Sequence, residues 1–88
     1  MEAYLGKSVR RLGGKSLKFI PDEENGMPDR LVLLPGGIAV WVELKNGATE
    51  KARKLQQLQH KRLRDLGQIV EVGHTKEQID QLLTRYGK

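Results

Sequence analysis

The octapeptide Ile38-Ala-Val-Trp-Val-Glu-Leu-Lys45 constrains this chain more than any other stretch. Gly36-Gly37 precedes it and Asn46-Gly47 follows it, so it is too short for a helix and has the bounds of a strand. Side chains alternate across a strand. Ile38, Val40, Val42 and Leu44 therefore share one face, and Ala39, Trp41, Glu43 and Lys45 share the other. The first face is wholly apolar and demands cover from another layer. The second becomes charged at its end, where nothing about folding requires it.

The segment before it tells where the charge points. Asp29-Arg-Leu-Val-Leu-Leu34 is a second strand, and Pro35-Gly36-Gly37 is a hairpin signal. If those three residues form the loop, Leu34 faces Ile38, and counting back along both arms places Asp29 opposite Glu43. Directly opposed side chains lie about 4.5–5.5 Å apart at Cβ. Two carboxylates at that spacing repel unless neutralised, and a hard divalent cation does this well: magnesium is held by one or two carboxylates plus waters. Lys45, two residues on and on the same face, can hold an attacking water or steady charge on a phosphate. A one-residue slip would separate Asp29 from Glu43. The alternative is a solvated strand end with Asp29 capping the loop.

The rest of the chain supplies the layers. Residues 2–12 read as a helix with Leu5, Val9 and Leu12 at helical spacing, stopped by Gly13-Gly14. Residues 15–20 read as a strand, and residues 21–28 as a polar loop. Thr49 is a fitting N-cap for a long helix over 50–66, whose inward face is expected at Ala52, Leu55, Leu63 and Leu66. Residues 68–72 form a fourth strand; Thr75 to Gln78 has capping-box spacing, and the last helix carries Ile79, Leu82, Leu83 and Tyr86 on one face. The order αβββαβα makes an α/β domain, with the first three strands an antiparallel meander. The fourth is parallel to the third, because a helical crossover joins them.

Two further segments place polar groups where apolar ones are expected. Glu2 lies at the rim of the Leu5–Val9 stripe and either points to the Asp29–Glu43 pocket or simply complements the helix dipole. Gln56 and Gln59 lie in or beside the inward face of the long helix, where an amide needs a partner. Gln56 can bond a metal-bound water or a phosphate, and Gln59 reads as a core-boundary residue. Trp41 and Phe19 read as core. His60 and His74 are isolated and are expected at the surface or boundary without a role.

The ordered set Gly26-Met27-Pro28-Asp29, Glu43-Leu44-Lys45 and a following helix with Gln56 resembles the active-site pattern of PD-(D/E)xK nucleases, and within them most resembles the VRR-Nuc (virus-type replication-repair nuclease) group. The likeness runs from the Glu2 helix through Gly13-Gly14 and Lys18-Phe19 to Gly67 before the last strand. It implies a restriction-endonuclease-like fold with a mixed four-stranded sheet flanked by helices. Asp29, Glu43, the Leu44 carbonyl and Glu2 would be metal ligands, Lys45 the catalytic lysine and Gln56 an accessory residue. It also implies Mg²⁺ with Mn²⁺ able to substitute, and a homodimer acting on branched DNA such as four-way (Holliday) junctions, of the stand-alone phage or bacterial type.

Charge and size agree. The 88 residues suit one domain, 1–88, and a core that dimerisation would help stabilise. A net charge of +5 favours a polyanionic partner. Arg10, Arg11, Lys15 and Lys18 at one end, and Arg53, Lys54, Lys61 and Arg64 on the long helix, are candidate phosphate contacts, the helix set otherwise being an ordinary solvated face. Cysteine is absent, which excludes thiolate chemistry and disulfides. With no secretory signal and no membrane-spanning run, the expected location is cytoplasmic, in a bacterial or phage-infected cell. Two other readings share these features: a nucleic-acid-binding module without catalysis, and a nuclease acting on DNA or RNA with no junction preference.

Overall fold

The computed structural model describes residues 1–20, 26–45 and 54–87. The Asn46-Gly47 turn, the Thr49 cap, Ala52, Arg53 and most of the polar loop lie outside the described residues. The elements are α1 (Glu2–Arg11), β1 (Lys15–Lys18), β2 (Arg30–Leu34), β3 (Ile38–Leu44), α2 (Lys54–Asp65), β4 (Ile69–Gly73) and α3 (Lys76–Tyr86). One four-stranded sheet has the order β1-β2-β3-β4. β1, β2 and β3 are antiparallel neighbours and β4 is parallel to β3. This is the expected mixed sheet of an α/β fold, flanked by helices.

The hairpin register is the one the sequence implies: Leu34 pairs with Ile38 and Arg30 with Val42. Gly36 (φ 88°) and Gly37 (φ 77°) take the left-handed conformation that closes the turn, which glycine adopts without a Cβ clash. The alternation then sends Val32, Leu34, Val40 and Val42 to one face, where they pack with Leu5 and Val9 of α1 and Ile79, Leu82 and Leu83 of α3. Each such side chain contributes about 1.5–3 kcal/mol by leaving water. Thr75 caps α3 by accepting from the Gln78 N–H, while Gln78 reaches back to the His74 N–H, one residue before the cap. Tyr86 joins the rim of the core and donates its hydroxyl to Glu71.

Two expectations change. Phe19 and Trp41 are half-buried outside the core cluster, packed edge-on at 4.9 Å; Trp41 is on the sheet face opposite Val40 and Val42, as its place in the alternation requires. In α2 the expected leucine face does not form: Leu55 is 45% exposed and Leu66 76%, with Leu58 also exposed. Gln59 and His60 are buried instead, and Gln56 and Leu63 are half-buried. The buried face is centred about half a residue, roughly 50°, from the one that apolar periodicity suggests. The end of β3 explains this, because Glu43 and Lys45 are both buried and buried charges need polar partners more than single leucines need cover. Among the described residues, no helix is long and apolar enough to cross a membrane.

Candidate active site

The site is built at the end of β3 where the β2 arm stops pairing. The ladder ends at Arg30 and Val42, and Asp29 stands just beyond it. Its backbone carbonyl accepts from the Phe19 N–H at 3.0 Å. Its Oδ1 accepts from the Leu44 N–H at 3.1 Å. Asp29 thus ties the exits of β1 and β3 together. The approach to it is fixed by packing: Pro28 is fully buried, and Gly26 has φ 82° and lies so close to α2 that a Cβ would meet the Leu55 carbonyl carbon at 2.9 Å. The Gly-x-Pro-Asp turn is therefore pressed against the helix that completes the site.

β3 continues one residue past its ladder, with the Lys45 N–H donating to Gly73 of β4 at 2.9 Å. Lys45 is 4% exposed and Glu43 6%. Lys45 Nζ donates to Gln56 Oε1 at 2.6 Å and lies 3.8 Å from Glu43 Oε2. His60 Nε2 faces Glu43 Oε1 across 4.0 Å. The matching is geometric. Two residues along a strand span about 6.6–6.8 Å, and four along a helix span about 6 Å. Gln56 and His60, one helical turn apart, therefore meet Lys45 and Glu43 in turn. Burial, and then the positive charges of Arg64 and Lys45, push the His60 pKa below its ordinary value.

Glu43, Lys45 and Gln56 thus meet from β3 and α2, and the Asp29 carboxylate is held by the N–H of Leu44, next to Glu43 in the chain. Gln56 holds the lysine, a partner the sequence did not suggest, where a metal-bound water or a phosphate was expected. The Leu44 backbone takes part through its N–H to Asp29. His60, expected at the surface or boundary without a role, is instead buried against Glu43; its place four residues after Gln56, on the same face of the helix, is the signal that could have found it. Glu2 goes elsewhere. It pairs with Arg30 Nη2 at 3.0 Å with its side chain 58% exposed. That hydrogen bond, followed by the charge of Arg30, holds its carboxyl below the usual range. Arg30 pairs with Val42, so alternation puts its side chain on the face opposite Glu43.

The basic residues divide similarly. Arg10, Arg11, Lys15, Lys18 and Lys54 are exposed. Lys61 pairs with Asp65 at 2.7 Å, and Arg64 donates to the Val70 carbonyl at 2.8 Å. A cleft of about 420 Å³ between α1 and α3, lined in part by Tyr4, Arg11 and Asp80, contains none of the converging residues.

Among the described residues there is no group of three His, Cys, Asp or Glu side chains placed to hold a metal ion. The donor chemistry nonetheless fits one hard cation completed by water: two carboxylates, one of them already oriented by a backbone N–H, beside an ammonium.

No family model matches the sequence. The chain is 42% identical over 72 residues to "Putative nuclease p44" of Acyrthosiphon pisum secondary endosymbiont phage 1, spanning 82% of this chain and 76% of that protein. A solved structure described as a VRR_NUC domain superposes with a TM-score of 0.91 at 33% identity, covering 97% of this chain and 91% of that one. The chain belongs to the VRR-Nuc nuclease family. Within this VRR-Nuc fold, the meander sets Asp29 against the Leu44 N–H and the crossover helix delivers Gln56 and His60 onto Lys45 and Glu43.

Proposed function

We propose that the chain is a metal-dependent endonuclease that hydrolyses DNA phosphodiesters, with four-way junctions as its preferred substrate and a homodimer as its working form. The convergence of Asp29, Glu43 and Lys45, with Gln56 holding the lysine, carries this reading. Asp29 and Glu43 would hold Mg²⁺, for which Mn²⁺ can substitute. When bound, the cation supplies charge to polarise the scissile phosphate and lowers the pKa of water. Asp29 is kept in one orientation by the Leu44 N–H, so it is preorganised for that task. Lys45, screened from solvent, places positive charge where negative charge accumulates on the phosphate. Gln56 fixes the direction of its ammonium. Glu2 belongs to the proposed site only if it leaves Arg30, so its contribution is the smallest of the five.

Binding rests on phosphate contacts from Arg10, Arg11, Lys15, Lys18, Arg53 and Lys54, which attract a backbone without reading bases. Residues 1–88 act as one nuclease domain, in the cytoplasm of a bacterial or phage-infected cell. Two copies about a two-fold axis would present two centres at fixed spacing, which suits paired cuts across a junction. The test is a gel assay with linear, flapped and four-way DNA and an RNA duplex, each with Mg²⁺, Mn²⁺ or EDTA. Paired symmetric nicks confined to the four-way substrate and abolished by EDTA are expected. Equal cutting of all DNAs would remove the junction preference, and binding without cleavage in any metal would make the chain a non-catalytic module.

A further inference from the structure

The face of α2 that clamps β3 carries His60, for which the cleavage reading has no use. The His60 side chain is 4% exposed. Its Nε2 is buried and makes no hydrogen bond among the described residues. A buried donor in that condition is costly unless it has a use. What it faces is Glu43 Oε1, across 4.0 Å, which is beyond hydrogen-bond reach of about 3.2 Å. The Lys45 ammonium is directed to Gln56 and approaches the carboxylate from its Oε2 side, so His60 and Lys45 flank Glu43 at different oxygens.

We infer that His60 is a positioning residue for Glu43: its Nε2–H hydrogen bonds Oε1 when the carboxylate is recruited, so that Glu43 offers a bound cation a single orientation. The inference rests on the metal-dependent reading above. Carboxylates that ligate metals are commonly held by such outer hydrogen bonds, and losing one weakens metal binding by about 10–100-fold. The paired contacts Lys45–Gln56 and Glu43–His60 then make α2 a two-point clamp. One end aims the lysine and the other aims the acid.

The experiment is a titration of free Mn²⁺ by electron paramagnetic resonance, without DNA, on wild type, Asp29→Ala, His60→Leu, His60→Phe and His60→Gln, each shown to be folded by circular dichroism and urea unfolding. Expected is a weakening of Mn²⁺ binding by about 10–100-fold in whichever apolar variant folds, with His60→Gln, which retains an N–H donor, returning to within about threefold of wild type. Wild-type affinity in the apolar variants overturns the inference, as does a His60→Gln affinity as weak as theirs. Strong ¹⁴N modulation in pulsed spectra of the wild-type Mn²⁺ complex also overturns it, by making His60 a ligand. If wild type and Asp29→Ala bind Mn²⁺ equally poorly, the cation site itself fails and the inference with it. Weakened binding in Asp29→Ala beside an unaffected His60→Leu sinks only the role of His60.

Discussion

Lys45 shows how one residue is fixed by its neighbours. An ammonium 4% exposed would lose most of its hydration, and Gln56 Oε1 at 2.6 Å together with Glu43 Oε2 at 3.8 Å offsets that loss. Lys45→Met keeps the volume and removes the charge; single-turnover cleavage of a four-way DNA is expected to fall by about 10²–10³-fold while Mn²⁺ still binds. Gln56→Leu leaves the charge and removes its aim, with an expected loss of up to about 100-fold. Equal rates in wild type and Lys45→Met would show the ammonium to be a bystander. Asp29, Glu43 and Lys45 were legible in the sequence because strand alternation and a short hairpin loop determine register by counting. His60 was not, because its place four residues after Gln56 gains meaning only once that face of α2 is known to meet Glu43, a partner that comes from another element. Of the two places open to Glu2, the exposed first turn of α1 is the one it takes, and nothing in the sequence reveals Arg30 as its partner there.

At the scale of elements, the meander and the crossover were readable from turn residues and from the switch between strand and helix periodicity. The orientation of α2 was not. Leucine spacing suggests one inward face, while Glu43 and Lys45 select the face carrying Gln56, Gln59 and His60, so Leu55, Leu58 and Leu66 remain exposed. The same helix sets the approach to Asp29 through Gly26. Gly26→Ala meets both a positive φ and the Leu55 backbone at 2.9 Å, whereas Gly36→Ala meets a positive φ and, among the described residues, no atom within 4 Å. Urea unfolding should show a loss of about 1–2 kcal/mol for Gly36→Ala with cleavage intact. Gly26→Ala should lose more, and its cleavage should fall because the Asp29 turn is displaced. Unchanged cleavage in a folded Gly26→Ala would show that the contact between this turn and α2 does not set the site.

For the whole molecule, a surplus of +5 and exposed basic residues at the α1–β1 end imply binding dominated by phosphate contacts. The logarithm of the association constant for duplex DNA should fall linearly with the logarithm of salt concentration, and Lys15→Ala with Lys18→Ala should reduce the slope by about 0.9 for each phosphate no longer neutralised. An unaltered slope would place the DNA on another surface. The measurement that reaches furthest is the single-turnover cleavage rate of a labelled four-way junction by wild type, Asp29→Asn and Glu43→Gln, in Mg²⁺ and in EDTA. Wild type should cut only with Mg²⁺, and each folded variant should lose about 100-fold or more. Cleavage in EDTA, or wild-type rates in either variant, would contradict the paired-carboxylate centre at the end of β3.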